Sequence, residues 1–244
     1  MNIGIIGAGP IGVTISEKLY NLGHNIKIAD VRSVSYLENK KFKGKAVEID
    51  EVIKHVDILI ISIPTQVIPT IKPYISNISD DVIVVDTSNY YPFRDGNIKE
   101  LDDGTVESEW VSEAIGKPVI KAFNNLLAHT LKNKNSTEEN EEKIAMAISG
   151  DNTEDKKNIS ELIQSIGFDT VDSGEIKNSW RHQPGTPAYC TELNTEELEI
   201  ALKVADKNLA PINRDEVFKH FEPNMNHDQI IELNRKYYGT NEII

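Results

Sequence analysis

Gly7-Ala8-Gly9-Pro10-Ile11-Gly12 stands between a short apolar run, Asn2–Ile6, and a segment in which Ile11, Ile15, Leu19 and Leu22 recur at helical spacing. Three glycines spaced this way, between a strand and a helix, suit the binding of a pyrophosphate. Gly7 permits a tight turn, Gly9 lets the backbone approach the phosphates, and Gly12 lets the helix pack close to the strand. The unpaired amides and positive end of that helix then hold the anion. Asp30 closes the second apolar run, Asn25–Ala29, where a carboxylate accepts the hydroxyls of an adenosine ribose and repels a 2′-phosphate. Arg32, two residues on, suits the opposite task of pairing with that phosphate. These residues specify a dinucleotide and leave NAD and NADP both open.

The elements that must position these groups alternate along the chain. Asp50–His55 reads as a short helix leading into a strongly apolar strand, Val56–Pro64, and Val67–Ile75 as a helix interrupted near Pro73. Val82–Asp86, Val119–Ala122, Ala145–Ser149 and Phe168–Val171 are further strands, the last two bracketing a helix over Glu154–Ile166. Strand–helix alternation of this kind predicts an α/β, Rossmann-type doubly wound and mostly parallel sheet. We expect a nucleotide-binding domain over 1–172 and a small C-terminal helical and loop extension over 173–244. Thr195 is the expected N-cap of a helix carrying Leu198 and Leu202, and Pro211–Ile244 reads as a helical tail, packed back or used between subunits. Residues 132–143, KNKNSTEENEEK, lack an apolar stripe and read as an exposed loop or solvated helix start.

Composition narrows the function classes. With 39% hydrophobic and 27% charged residues among 244, the chain has the make-up of a folded soluble protein. It holds no apolar run long enough to span a membrane and starts without a signal-peptide pattern, so a cytoplasmic location is expected. A net charge of −13 argues against a nucleic-acid partner, and the single cysteine, Cys190, fits a reducing compartment. No Ser-His-Asp set, HExxH or CxxC occurs, and no metal site is expected.

GAGPIG, IPTQVI, VVDTSNYYPFRDG, VIKAFNN, ISGD and SWRHQPGTPAYC occur here in the order seen in the coenzyme F420-dependent NADP oxidoreductase family, and the chain resembles its bacterial branch over about residues 1–207. The resemblance implies hydride transfer between NADP(H) and a deazaflavin, coenzyme F420, or a flavin-like acceptor. It places Gly7, Ala8, Pro10 and Ile11 on the phosphate turn and Ser62, Ile63 and Pro64 beside the nicotinamide ribose. Arg32 matches the arginine of the family's serine–arginine pair, which favours NADP(H) over NAD(H), whereas Val31 replaces the serine and Asp30 adds a carboxylate. Thr87, Ser88 and Asn89 fall at the carboxyl end of a strand, where open α/β sheets bind ligands. Asn124 and Asn125 are candidates for the nicotinamide amide or the acceptor, with capping or turn roles as the alternative.

In SWRHQPGTPAYC, Pro184 and Pro187 stiffen the chain, Trp180 and Tyr189 offer flat surfaces, and Arg181 and Gln183 offer polar contacts. We expect this loop to line the acceptor side, against the alternative that Trp180 and Tyr189 anchor a core. His182 reads as a solvated loop residue. Asn89, Asn125, Arg181, Gln183 and Tyr189 are therefore the acceptor-side candidates. The expected partner is a small-molecule redox acceptor, with a homodimer as the candidate assembly. Two alternatives stand beside this: a non-catalytic NADP(H) sensor, and a dehydrogenase or reductase of a small carbonyl or imine. A β-hydroxyacid dehydrogenase would need a large all-helical second domain, for which the chain after Asp172 is too short.

Overall fold

The computed structural model describes the whole chain except residues 77, 137 and 139–141. It divides into two compact units, Met1–Lys121 and Ala122–Ile244.

The first unit is built on β1 (Asn2–Ile6), α1 (Pro10–Asn21), β2 (Asn25–Ala29), β3 (Lys45–Ala46), α2 (Ile49–Val52), β4 (Ile58–Ile61), α3 (Lys72–Ile75), β5 (Ile83–Asp86), α4 (Pro92–Asp95), α5 (Lys99–Asp102), α6 (Glu107–Ile115) and β6 (Ile120–Lys121). The strands form one sheet in the order β3-β2-β1-β4-β5-β6, and every pairing is parallel. This is the doubly wound order expected from the alternation of elements. The succession of strands runs outward one way from β1 to β3 and the other way from β4 to β6, which opens a crevice at the carboxyl ends of β1 and β4. Strands covered on both faces read as continuous apolar runs, and Ile58–Ile61 is buried throughout. β1 pairs with β2 from Asn2↔Asn25 to Ile6↔Ala29, so the turn after β1 and Asp30 after β2 leave the sheet at one level.

The second unit contains α7 (Ala128–Asn133), β7 (Ala145–Ile148), α8 (Thr153–Ser165), β8 (Asp169–Asp172), α9 (Thr195–Val204), α10 (Leu209–Phe218) and α11 (His227–Tyr237). β7 and β8 form a parallel pair of their own instead of lengthening the large sheet. Ala145, Ala147 and Val171 from this pair share a core with Ala188, Leu193, Leu198, Ala201 and Leu202. The boundary expected after Asp172 thus falls inside the second unit, because this core joins the β7–β8 pair to the loop and α9.

Other local expectations shift for identifiable reasons. Thr65–Ile71 is a 3₁₀ helix, with Pro69 inside it, and α-helix begins only at Lys72. Asn194, not Thr195, caps α9: its side chain accepts from Glu197 N, and the Glu197 side chain accepts from Asn194 N. α6 is a nine-residue helix with no counterpart among the expected elements; Val111 and Ile115 anchor it, both fully buried, and Gly116 closes it in the left-handed region. Of residues 132–143, Lys132 and Asn133 finish α7, and positions 137 and 139–141 lie outside the described residues. The tail is helical and packs back within its own unit. Asn234 Nδ2 donates to Cys190 O at 3.0 Å, Arg235 Nε to Thr191 O at 2.8 Å, and Thr240 Oγ1 to Pro187 O at 3.0 Å.

Candidate functional site

Gly7, Gly9 and Gly12 carry unequal loads. Gly7 has φ +115°, and a Cβ there would lie 2.1 Å from Ser62 O. A Cβ on Gly12 would lie 2.1 Å from Gly7 O, so this glycine lets α1 close on the turn. Both are needed by the fold. Gly9 has φ −76° and ψ 176°, which any residue adopts, and a Cβ there meets nothing within 4 Å. The space beside Gly9 therefore serves something other than packing. Gly9 is also the N-cap of α1, yet no side chain caps the helix and its first turn carries no acidic residue. The amides and the positive end of a twelve-residue helix are left for an anion.

Around this turn lies a cleft of about 240 Å³, lined by Gly9, Pro10 and Ile11 after β1, Ser62–Pro64 after β4, Thr87–Asn89 after β5, and Arg94. Nine of these ten residues are candidates named by the glycine pattern, the strand end after β5 or the family resemblance, and Arg94 is the tenth. Thr87 Oγ1 is spent on Ile61 O at 3.1 Å. Ser88 Oγ is buried with no hydrogen-bond partner, an arrangement that costs free energy unless a ligand completes it. Its backbone is fixed from below: Asp86 Oδ1 accepts from Ser88 N at 2.8 Å, and the Lys121 ammonium donates to Ser88 O. An orphaned hydroxyl beside an open glycine fits the polar middle of a dinucleotide. Ser88→Ala should accordingly act with opposite signs. We expect stability to hold or rise by up to about 1 kcal/mol as the stranded group is removed. NADPH affinity should fall about five- to tenfold. Thermal melts and a fluorescence titration of NADPH on the same variant read both, and unchanged affinity would remove Ser88 from the site.

Asp30 and Arg32 do not act independently. Arg32 Nε donates to Asp30 Oδ1 at 2.6 Å, Nη2 to Oδ2 at 2.7 Å, and the Arg32 amide to Oδ1 at 3.1 Å. Burial raises the Asp30 pKa, but the Arg32 side chain and amide and the Ala8 amide outweigh it and hold the carboxyl below its ordinary value. The pair with Asp30 in turn raises Arg32. The Arg32 guanidinium lies 3.4 Å from the centre of the Tyr36 ring, and Lys40 Nζ lies 4.9 Å from the same ring. With 57% of its side chain exposed, Arg32 presents a fixed cation beside a second one. Lys40 had no signal in the sequence beyond lying in the basic stretch after β2.

The remaining candidates lie in the second unit and are largely committed to one another. His182 is fully buried, which corrects its reading as a solvated loop residue. Its Nδ1 is 2.9 Å from Asn124 Oδ1 and its Nε2 2.9 Å from Ser149 Oγ, while Asn124 Nδ2 donates to His182 O at 2.8 Å. Asn125 Nδ2 donates to Ala188 O at 3.3 Å, and its Oδ1 accepts from Ala147 N at 3.3 Å. The two asparagines thus hold the loop at His182 and at Ala188, the capping role weighed against ligand contact. Tyr189 is buried, with its ring 6.5 Å from that of Tyr238. Gln183 O accepts from Thr186 Oγ1 at 2.8 Å. Arg181 Nη1 donates to Leu202 O at 2.9 Å and its guanidinium lies 4.5 Å from the Trp180 ring centre. Burial pushes the Cys190 thiol up to about 12, so it is no nucleophile near neutral pH. Among the described residues there is no cluster suited to a metal ion, and no helix is long and apolar enough to cross a membrane.

A family model described as NADP oxidoreductase, coenzyme F420-dependent, matches residues 2–90. The Escherichia coli K12 protein YjhV is 31% identical over 96 residues, which is 38% of this chain and 70% of YjhV. The structure of a hypothetical protein from Sinorhizobium meliloti is 30% identical, with a TM-score of 0.69 over 80% of this chain and 96% of that one. A structure from Arthrobacter sp. FB24, named a "putative f420 dependent nadp-reductase", shares 18% identity and a TM-score of 0.59 over 73% of this chain and 87% of its own. At that identity the likeness is one of fold.

Proposed function

This chain belongs to the coenzyme F420-dependent NADP oxidoreductase family and is a NAD(P)-dependent oxidoreductase, and on that premise we propose that it prefers NADP(H) and exchanges hydride with a flavin-like or deazaflavin acceptor. The preference rests on one observation, the bidentate Arg32–Asp30 pair. A carboxylate that selects NAD must be free to accept ribose hydroxyls. Here it accepts three bonds from Arg32 instead, and so turns an NAD-selecting group into the support of a phosphate-binding one. Lys40 adds to the local positive charge in an otherwise acidic protein.

The dinucleotide, when bound, supplies the hydride; the protein's own groups hold and orient it. The α1 amides take the pyrophosphate, the Arg32 guanidinium takes the 2′-phosphate, and Ser88 and Ser62 meet the ribose on the nicotinamide side. Orientation is the main task in such a transfer and supplies on the order of 7–11 kcal/mol in favourable cases. Asn89 lines the cleft and keeps its acceptor-side role in this reading, whereas Arg181 and Gln183 make their bonds within the second unit. Asn125 and Tyr189 carry structural roles in it.

The test is a pair of titrations with NADPH and NADH. The parent protein should bind NADPH about tenfold more tightly, as one charge-assisted phosphate contact allows, and Arg32→Ala should erase the difference. Tighter binding of NADH by the parent would refute the preference.

A further inference from the structure

The segment from Asn89 to Asp95, which follows β5 and runs through α4 within SNYYPFRDG, sends Asn89 and Arg94 to the lining of the cleft. Its construction is costly and specific. Tyr90 is buried, its amide donates to Glu107 Oε2 at 3.1 Å, and its hydroxyl accepts from Ile98 N at 3.0 Å. Asp95 is buried as well. It accepts from Tyr91 N at 2.9 Å and from Arg94 through Nε at 3.1 Å and Nη2 at 2.8 Å. Arg94 Nη2 also donates to Asn89 O at 2.6 Å, and Arg94 O accepts from Gln66 Nε2 at 3.1 Å. A buried carboxylate and one backbone carbonyl thus fix the guanidinium of Arg94, a residue that lines the dinucleotide cleft with 40% of its side chain still exposed.

The same segment carries two rings on either side of Pro92, next to Arg94 in the chain. Phe93 is 70% exposed, and its ring sits 5.5 Å from that of Tyr91, tilted by 51°. The Arg94 guanidinium lies 5.2 Å from the Tyr91 ring centre. One exposed aromatic residue is ordinary on a protein surface. An aromatic pair beside a fixed cation that itself lines a nucleotide cleft is a recognition surface for a flat, anionic ring.

We propose that Tyr91, Phe93 and Arg94 form the acceptor platform of this enzyme, stacking a planar heteroaromatic redox ring and holding an anionic group attached to it. This rests on the reading of the cleft as the dinucleotide site, and the experiment separates the two. Dissociation constants for FMN and riboflavin are measured by flavin fluorescence quenching in the presence of saturating NADP⁺, alongside the NADPH titration. The parent protein should bind both flavins. Phe93→Ala should weaken both about tenfold, as expected for loss of a stacking partner, with NADPH affinity within about twofold of the parent. Arg94→Gln should weaken FMN about tenfold and riboflavin less than about twofold, since only FMN carries the phosphate. Arg94→Lys keeps a cation opposite Asp95 and should retain FMN within about threefold, which covers the case in which the glutamine variant folds poorly. A parent that binds NADPH but neither flavin overturns the platform. So does a Phe93→Ala protein that binds both flavins unchanged, or loses NADPH to the same extent. A parent that fails to bind NADPH overturns the reading of the cleft itself.

Discussion

Gly9→Val is expected to abolish NADPH binding, raising Kd by about a hundredfold or more, in a protein that melts within about 2 °C of the parent. The two halves of this result come from different observations. The fold tolerates the change because Gly9 has an ordinary extended backbone and its Cβ position is empty to 4 Å. Binding does not tolerate it, because the valine methyl groups occupy the space through which a pyrophosphate reaches the α1 amides. Gly12→Ala supplies the contrast. Its Cβ would lie 2.1 Å from Gly7 O, a backbone atom, so that variant should lose stability before binding is ever measured. Isothermal titration with NADPH and thermal melts on the three proteins decide the matter. If Gly9→Val binds NADPH with the parent's affinity, the nucleotide lies elsewhere.

The first half of the chain was legible because its signals are local. A glycine pattern between an apolar run and a 3.6-residue periodicity fixes strand, turn and helix together, and Asp30 and Arg32 follow at the end of the next run. What escaped depends on partners far along the chain. β3 is two residues long and exists through pairing with Lys27 and Ile28, so no periodicity could announce it. Ala145–Ser149 and Phe168–Val171 read as strands, and β7 and β8 form there within a residue at each end, but periodicity says nothing of which strand pairs with which. His182 looked exposed because its neighbours are polar and aromatic; it is buried because Asn124 and Ser149 satisfy both ring nitrogens. Arg94 carries no signal of its own in the sequence, because its position depends on pairing with the buried carboxylate of Asp95, one position on.

Lys121 is the clearest case of a residue invisible to pattern and large in effect. It reads as a polar interruption in an apolar strand, yet it is fully buried and its ammonium donates to Asp86 Oδ2 at 3.0 Å and to Ser88 O. Asp86 is equally buried, and it also accepts from Ser108 Oγ at 2.7 Å and from Ser88 N at 2.8 Å. Two charges out of water are tolerable only as a pair, and removing one strands the other at a cost of about 3–5 kcal/mol. Lys121→Ala should therefore destabilise the protein by that amount in urea denaturation. NADPH affinity should fall as well, because Ser88 loses the bond that fixes its carbonyl in the cleft. The double replacement Lys121→Met with Asp86→Leu distinguishes an ion-pair effect from simple loss of volume. It removes both charges, refills much of the space, and should recover a substantial part of the stability, since apolar substitutes for buried pairs are often neutral or better. NADPH affinity should stay low in the double variant, because neither the carboxylate that accepts from Ser88 N nor the ammonium that donates to Ser88 O is present. Recovery of stability without recovery of binding would place the pair's role in shaping the cleft. Losses that simply add would show that Asp86 and Lys121 are uncoupled, and the pair would then carry no part of the site.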